Sequence, residues 1–496
     1  MSDVCAARVI IIGKHPLTDS LLCQYQSQGR EVDCHLEMNT DGICINDYAE
    51  LCLLAGNHED DKAVALIGQL AADYQVEDHS GNRLLCHLLL QKNETLRILQ
   101  TTDFCESIRE KVDVYPFTMD EVWSRSIILD YEPMTIQSQK HVHLVVFGMG
   151  EIAEMVAIQA AQVAHYPNYV RDHSLRTRIT MIDTDAEQKS KGFIKRFQHL
   201  FDNSYYRIVK PSEEHAVTLF HQPMYERQRE EFVDVEWEFV EADISNTDLR
   251  AKLQLWAKDS SQLLTIVMAD NDQYKNRAQV MCLPDDIFQQ NIPVHSYSKP
   301  VSGYDINLPL VRMAKNVNYI YNRCYHDNIV DWNGTLRYAV EIDKDESERF
   351  WAELPAVKRM SSIYNAMTIP VKMRSIGLNE DDWGRFYDIS QQDIELLTEV
   401  EHNRWSVEEL ILGYRPCTDV EQQQIEADIN LKNVYKAKKI HYDLRSFNDL
   451  RIDETGKSVK IYDLCLCSCL PLIAKVFADE NQGTAVHEDE RKGGEA

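Results

Sequence analysis

The fold of this chain is decided by the stretch Val142-His-Leu-Val-Val-Phe-Gly-Met-Gly-Glu-Ile-Ala153. Its first half is a mostly apolar run that ends at Gly148, which predicts a buried strand followed by a tight turn. Residues 152–164 are rich in Ala, Val and Ile and predict a helix that begins directly after the turn. A strand, a glycine turn and a helix in immediate succession are typical of α/β domains with a parallel sheet.

The same alternation continues toward the C-terminus. Further strands are predicted at 178–182, 237–240, 263–268 and 292–296, with an insertion of helical and irregular segments at 186–233. Strands that are separated by helices pair in parallel, because each crossover helix packs on the sheet it leaves. We therefore predict a doubly wound, Rossmann-like domain over residues 141–330.

The first 135 residues show a weaker version of this pattern. Short apolar runs at 8–13, 31–36 and 84–90 predict strands, and residues 17–25 and 63–74 predict helices. The turn after the first strand, Gly13-Lys-His-Pro16, keeps one glycine and has a proline where a second backbone N–H would be needed. We predict a second Rossmann-like domain over residues 1–135 with a degenerate phosphate loop, joined to residue 141 by a polar linker.

The alternation of strands and helices is lost after about residue 333. Residues 348–354 and 393–412 predict helices, the second with a strong helical period. The predicted fold class is therefore α/β, with two Rossmann-like doubly wound parallel-sheet domains followed by a mainly α-helical domain at 340–476. Residues 477–496 are acidic and glycine-containing, which predicts a disordered tail.

The glycine loop has the residues that a phosphate site needs. Gly148 permits the tight turn, Gly150 lets the backbone approach a pyrophosphate, and Ala153 allows close packing of the helix on the strand. The start of the helix, at Met149, Glu151 and Ile152, would point backbone N–H groups at an anion. These residues predict a dinucleotide site, whereas the alternative is a loop that keeps its glycines for packing alone.

Acidic residues follow the next strands at the same edge of the predicted sheet. Asp183 is placed to accept hydrogen bonds from ribose hydroxyls, and Asp185 is the alternative partner. A carboxylate there disfavours a 2′-phosphate, so NAD or a related adenine nucleotide is predicted rather than NADP. Asp270 and Asn271 end the fourth strand and are further candidates for ligand contact. For Asp270 and Asp272 the alternative role is to cap the next helix.

Composition limits the class of protein. The 496 residues carry a formal net charge of −28, which argues against binding to a nucleic-acid backbone because that role needs a basic surface. No uninterrupted apolar stretch of about 18 residues is present, and the N-terminus does not resemble a secretory signal. The sequence therefore predicts a soluble, cytoplasmic protein.

The cysteine pattern predicts no disulfide framework and no metal site. Thirteen cysteines are spread along the chain, an odd number, and the tightest group is Cys465, Cys467 and Cys469. A spacing of two differs from the C-x-x-C of a zinc site, and no matching pair lies nearby. We predict buried free thiols on one face of an extended segment.

Three segments of the second predicted domain carry a family resemblance. Val-Val-Phe-Gly-Met-Gly-Glu-Ile-Ala at 145–153, Ile-Asp-Thr-Asp at 182–185 and Met-Ala-Asp-Asn-Asp at 268–272 resemble the TrkA-N dinucleotide-binding domains of potassium-conductance regulators. The resemblance implies a nucleotide ligand and homo-oligomerisation. The N-terminal domain is similar to a diverged copy of the same fold.

A more specific resemblance lies near the C-terminus. Glu-His-Asn-Arg-Trp at 401–405, with Glu408 and Leu-Gly-Tyr-Arg at 412–415, resembles the core of the bacterial ryanodine-receptor (RyR) domain. The likeness extends over roughly residues 345–475, although Tyr414 replaces the commoner Trp. It implies a small helical domain that senses nucleotide-type ligands and is often joined to TrkA-N domains or ion channels.

This motif places polar groups beside aromatic rings. Arg404 suits a phosphate or carboxylate, Trp405 and Tyr414 could stack on a base, and His402 or His441 could hydrogen-bond to the ligand. The alternative is a structural core, in which Arg404 pairs with Glu401 and Glu408 along one helix.

The sequence leaves three classes of function open. We find no nucleophile elbow, metalloprotease motif or complete P-loop, and no catalytic residues can be named. The favoured hypothesis is a cytosolic nucleotide-sensing regulator that controls a partner, either a potassium channel or transporter or a bacterial stress or antiviral defence pathway. The alternatives are an NAD-dependent enzyme, either an oxidoreductase or an NAD-consuming effector, and an assembly protein with relic Rossmann folds.

Overall fold

The computed structural model describes residues 8–75, 83–129, 138–211, 217–223, 231–327, 329, 331, 340–378, 389–450 and 459–474. Most of the predicted linker, at 130–137, and the whole predicted tail, at 477–496, lie outside the described residues. The chain divides into two compact units. The first comprises Met1–Ser126, Lys299–Pro309 and Glu348–Met360, and the second comprises Ile127–Ser298, Leu310–Ser347 and Ser361–Ala496.

The first unit is built on a five-stranded parallel sheet. Its elements are β1 (Val9–Ile12), α1 (Thr18–Ser27), β2 (Val32–His35), β3 (Glu50–Leu54), α2 (Asp60–Asp73), β4 (Leu84–Leu90), α3 (Asn93–Thr101), α4 (Glu106–Arg109), β5 (Val112–Thr118) and α5 (Met119–Leu129). The strand order is β2-β1-β3-β4-β5, and every pair is parallel.

Both faces of this sheet are buried along β1, β3 and β4, whose residues are mostly apolar at successive positions. Ile10 and Leu53 belong to the core that α2 and α3 cover, whereas Val9 and Leu54 face the core formed with α1. A sheet with helices on both faces is the arrangement that parallel strands require. The predicted α/β class with a parallel sheet is confirmed for this region.

The second unit contains a larger, mixed sheet. Its elements up to residue 296 are β6 (His141–Phe147), α6 (Glu151–Val163), α7 (Pro167–Arg171), β7 (Thr177–Asp183), α8 (Ala186–Arg196), α9 (Gln198–Asp202), β8 (Tyr206–Val209), β9 (Val217–His221), β10 (Val235–Glu241), α10 (Thr247–Lys258), β11 (Gln262–Met268), α11 (Gln273–Met281), α12 (Asp285–Gln289) and β12 (Val294–Ser296).

The strand order in this sheet is β12-β11-β6-β7-β10-β8-β9, and only the β8–β9 pair is antiparallel. From β6 the chain proceeds through β7 to β10 on one side and then crosses to β11 and β12 on the other. The carboxyl ends of β6 and β11 therefore flank the point at which the order reverses. The predicted insertion at 186–233 contains α8, α9 and the β8–β9 hairpin.

The remaining elements are mainly helical, as the loss of alternation predicts. They are α13 (Pro309–Asp327), α14 (Lys344–Glu353), α15 (Ala356–Ser375), α16 (Gln391–Ile411), β13 (Arg415–Pro416), α17 (Asp419–Ala427), α18 (Leu431–Ala437), β14 (Ile440–His441) and α19 (Lys460–Ser468). Helix α16 packs against α19 and also against α6, α7 and α9. Most of the helical region thus belongs to the same compact unit as the second sheet, whereas Glu348–Met360 belongs to the first unit.

The segment that carries the clustered cysteines corrects one prediction. Cys465 and Cys467 lie in helix α19 rather than in an extended segment, and Cys469 follows its last residue. All three are buried free thiols, as predicted. In a helix, residues two apart point in different directions, so Cys467 lies on another side from Cys465. Helix α19 is buried against both α16 and α13, so its sequence lacks the polar face by which a helix is usually identified.

Among the described residues, no helix combines the length and the apolar character needed to cross a membrane. No group of three or more His, Cys, Asp or Glu side chains among them is arranged to hold a metal ion.

Candidate functional site

The turn after β6 has a conformation that only glycine adopts easily. Gly148 has a φ of 110°, and its N–H donates to the carbonyl of Ile182 at 2.8 Å. A Cβ at this position would lie 3.3 Å from the carbonyl oxygen of Ala269. Gly148 is therefore held between the ends of β7 and β11, at the reversal point of the strand order.

The helix that follows begins in the open. Gly150 is the N-cap of α6, has extended backbone and is exposed. The nearest atom to a Cβ built there is Oδ1 of Asn271, at 3.8 Å. Glu151 is exposed, whereas Met149 and Ile152 are buried and pack the turn against the core. Because Gly150 has no side chain, none at this position covers the first backbone N–H groups of α6.

Asp183, the last residue of β7, is fixed on this turn. Its Oδ2 accepts from the N–H of Met149 at 3.1 Å, and its Oδ1 accepts from the N–H of Asp185 at 3.0 Å. Lys189, on α8, donates to both oxygens at 2.8 Å. Asp185 itself is exposed, and it makes contact through its backbone rather than its carboxylate. Of the two candidate ribose partners, the structure brings only the Asp183 carboxylate to the loop.

The residues after β11 lie on the other side of the glycine loop. Asp270 accepts from the N–H of Asp272 at 3.0 Å and from Lys275 at 2.5 Å. Burial favours the neutral form of Asp270, but the hydrogen bonds from Lys275 and from the N–H of Asp272, together with the charges of Lys275 and Lys189, outweigh burial and lower the pKa of Asp270. Asp272 caps α11 by accepting from the N–H of Tyr274, as the alternative role predicts. Asn271 is exposed beside Gly150.

Lys189 and Lys275 are the residues of this site that sequence reasoning missed. Lys189 also acts electrostatically on Asp270, and Lys275 acts on Asp183, so the four side chains form one cluster around the glycine loop. The hydrogen bond to Asp270 raises the pKa of Lys275. The only signal in the sequence is a lysine near the start of each helix that follows an aspartate-ended strand.

The C-terminal motif forms an aromatic cluster. The ring of Trp405 lies 4.9 Å from that of His441 and 5.6 Å from that of His402, and Tyr414 meets His441 at 5.8 Å. Trp405 and Tyr414 are half-buried, so part of each ring faces solvent. Lys439 lies over the Tyr414 ring, with its Nζ 4.2 Å from the centroid. The structure therefore brings four of the five predicted residues of this motif together.

Arg404 lies outside that cluster. Its side chain is buried in a network between α15 and α16, in which it donates to Glu401 at 2.9 Å and to Glu408 at 2.6 Å. Glu401 also accepts from Lys372 and from Asn365. This is the arrangement that the structural alternative predicts. Its guanidinium is engaged inside the protein, and the ligand role suggested by sequence has no support in this geometry.

His441 is the titratable ring at the centre of the aromatic cluster. Burial lowers its pKa to about 4, with a further contribution from Lys436, while Asp443 and Glu409 oppose the shift. Its Nδ1 accepts from the N–H of Asp443 at 3.2 Å. A neutral imidazole with Nε2 protonated is the form that this environment favours.

We expect this shift to appear in the pH dependence of stability. Between pH 6.5 and about 4 the unfolded chain binds a proton at His441 that the folded chain does not, so stability falls as the pH is lowered through that window. His441→Asn keeps an acceptor for the Asp443 N–H and should flatten this part of the curve, measured by urea unfolding at several pH values. His326→Asn, at an exposed histidine, is the control and should leave the curve unchanged.

Comparisons of the chain with protein-family models, with curated proteins and with solved structures gave no match.

Proposed function

We propose that this protein is a nucleotide-sensing regulator that binds a dinucleotide or adenosine-type ligand at the glycine loop 148–153. The observation that carries the proposal is the position of this loop. It joins β6 to the N-terminus of α6 at the point where the strand order reverses, and Asp183 is fixed on its backbone. Ligands of open α/β sheets bind at such reversal points.

The strand order supports a Rossmann-like interpretation of this region. Without the inserted strands β8 and β9, the chain forms the remaining five strands in the sequence β6, β7, β10, β11 and β12. Across the sheet, from β10 to β12, these five lie in the order 3-2-1-4-5, which is the order of dinucleotide-binding sheets. The helix start supplies N–H groups for a pyrophosphate, and the Asp183 carboxylate suits ribose hydroxyls. NAD or a related adenine nucleotide fits this set of groups.

The paired lysines add a requirement on the ligand. Lys189 and Lys275 form ion pairs with Asp183 and Asp270. Ribose hydroxyls that bind Asp183 must displace Lys189, which would leave an unpaired lysine next to the ligand. A diphosphate compensates for that lost ion pair because it offers the released ammonium group a new anion. The proposed ligand is therefore an anionic nucleotide rather than a nucleoside.

The regulatory part of the proposal rests on helix α16. This helix packs against α6, which begins at the glycine loop, and it carries His402 and Trp405 of the aromatic cluster. A ligand that binds one packing of α6 more tightly than another would bias α16 by at most that difference in binding free energy. The partner that reads this change is proposed to be a second copy of the chain, a membrane channel or another effector protein.

Calorimetric titration of the full-length protein with NAD, NADH, ATP, ADP-ribose and cyclic ADP-ribose tests the proposal. We expect Gly150→Asp to weaken binding by about a hundredfold or more, because it places a carboxylate where the phosphates lie. Gly192→Asp is the matched control, since Gly192 is exposed on α8 and a Cβ there meets no atom within 4 Å. It should bind like the wild type.

The outcomes separate the competing sites and functions. Loss of binding in Trp405→Ala but not in Gly150→Asp would move the ligand to the aromatic cluster. Net oxidation or reduction of the nicotinamide, followed at its absorbance band, would favour the enzyme alternative. An absence of binding to all five nucleotides would refute the sensor hypothesis and favour an assembly role.

The ribose partner can be tested separately. We expect Asp183→Asn to weaken NAD binding by about tenfold or more, because a neutral amide is a poorer acceptor for ribose hydroxyls than a carboxylate. The same substitution should reduce the ratio of the affinity for NAD to the affinity for NADP. Asp185→Asn is the comparison, and it should leave both affinities unchanged, since its carboxylate does not reach the loop. Equal effects of the two substitutions would contradict the assignment of Asp183.

A further inference from the structure

The first sheet has its own reversal point. From β1 the chain passes to β2 on one side and then to β3 on the other, so the carboxyl ends of β1 and β3 flank the reversal. The sequence predicts a degenerate loop at this place, because Pro16 occupies a position that would need an N–H group. The site is nevertheless where open α/β sheets bind ligands.

Glycine residues follow both strands at this edge of the sheet. Gly13 follows β1 with a φ of 107°, and its N–H donates to the carbonyl of His35 at 2.8 Å. Gly56 follows β3 after one residue and also has no side chain. The neighbouring loops cover both strand ends, because the methyl group of Met38 lies beside Gly13 and the Glu59 carboxylate lies beside Gly56.

Those neighbouring loops bring basic groups together. His15 is half-buried and lies close enough to Lys299 for the two to interact electrostatically. Lys299 donates to Oε1 of Gln91 at 3.0 Å, and Gln91 in turn donates to the carbonyl of Ala55 at 2.8 Å. Lys14 and Lys92, both exposed, adjoin His15 and Gln91 in the chain.

Two acidic side chains near this edge accept hydrogen bonds from neighbouring residues. Asp60 is buried and accepts from the N–H groups of Gln91 and Lys92, at 2.8 and 3.0 Å. Glu59 accepts from the N–H of Gly56 and from Lys62. In the part of the chain that the structure describes, no carboxylate forms an ion pair with Lys14, Lys92 or Lys299.

This pattern differs from that at the second sheet, where both lysines at the carboxyl edge pair with aspartates. It is also unusual for a chain whose net charge is −28, in which most lysines have an excess of carboxylates to choose from. Lysine side chains that are not held in ion pairs are available to an anionic ligand.

We propose that the carboxyl edge of β1 and β3 binds the phosphoryl group of a small anionic metabolite, with His15 and Lys299 as its donors. Nδ1 of His15 accepts from the N–H of Leu17 at 3.1 Å, which leaves Nε2 as the protonated nitrogen. Nε2–H and the Lys299 ammonium group are then two donors of the kind that phosphate oxygens accept. The site is independent of the glycine loop at 148–153.

Inorganic phosphate and pyrophosphate are the probes for this site, titrated into the full-length protein in the Gly150→Asp background so that the second sheet does not contribute. We expect Lys299→Met to weaken binding by about tenfold or more. His15→Asn keeps an acceptor for the Leu17 N–H, removes the Nε2 donor and should have a similar effect. Lys111→Met is the matched control, because Lys111 precedes β5 at the opposite, amino edge of the same sheet. Its affinity should equal that of the background protein.

A second readout follows the His15 ring by NMR. Burial lowers the pKa of His15, and Lys299 lowers it further. Bound phosphate supplies the opposite charge and should raise that pKa, whereas phosphate that associates elsewhere would leave it unchanged. The proposal is overturned by equal affinities of Lys299→Met and Lys111→Met, by an unchanged His15 pKa, or by no binding at millimolar phosphate.

Discussion

Glu401→Gln is expected to lower the free energy of unfolding by about 3–5 kcal/mol, the cost typical of removing one partner from a buried ion pair. Glu401 is buried, and its oxygens accept from Arg404 and from Lys372. An amide at this position has no charge and turns an NH2 group toward one of these cations. Arg404 would keep its ion pair with Glu408, whereas Lys372 would lose the carboxylate with which it pairs.

The direction of the pKa of Glu401 supports this expectation. Burial would raise the pKa, but Arg404 and Lys372 together lower it to about 2. A carboxyl whose pKa is lower in the folded than in the unfolded chain stabilises the fold above about pH 4.5. That contribution is lost as the pH falls from there toward 2.

The matched control is Glu395→Gln on the same helix. Glu395 is exposed, so the same chemical change should shift the free energy of unfolding by less than about 0.5 kcal/mol. Chemical unfolding at neutral pH compares the two variants directly. A cost at Glu401 no greater than at Glu395 would contradict the buried network as the element that holds α15 to α16.

The second large effect is expected at Gly13, where alanine should destabilise the first unit by about 3 kcal/mol or more. The φ of 107° is costly for any residue with a Cβ, at roughly 1–3 kcal/mol. The new Cβ would also lie 2.3 Å from the carbonyl oxygen of Leu54, which is backbone of β3 and cannot move aside easily. Relief of that contact requires β1 and β3 to separate at their carboxyl ends.

Gly29→Ala separates these two causes. Gly29 follows α1 with a φ of 69°, and a Cβ there meets no atom within 4 Å. Only the conformational cost, about 1 kcal/mol, should apply. Thermal or urea unfolding that gives equal losses for the two variants would show that the close approach of Gly13 to Leu54 does not restrain the sheet.

Much of the two sheets was accessible from sequence because strands such as β4, β6 and β11 are mostly apolar at successive positions. β4 was predicted with the bounds that the structure has, and β6 and β11 to within one residue. The glycine turn, the following helix and the Asp183 position were also predictable, because each depends on residues that are neighbours in the chain. The insertion at 186–233 was less predictable, since its hairpin has little apolar period.

The candidate site depended more on the fold. Lys189 and Lys275 lie 86 residues apart in sequence (275 minus 189), and no local pattern shows that they share one cluster with Asp183 and Asp270. Likewise, the motif at 401–405 gave no sign of which side chains face solvent. Helix geometry turns Arg404 toward Glu401 and Lys372, and it turns Trp405 toward His441.

The sequence by itself therefore determined the α/β class, the glycine turn and the acidic strand ends, since these follow from residue type and short-range spacing. Only the tertiary structure decided the strand orders, the burial of Arg404 and the grouping of His15 with Lys299. Each of these depends on which distant segments pack together. Packing between distant segments is set by the whole hydrophobic core rather than by any one stretch of chain.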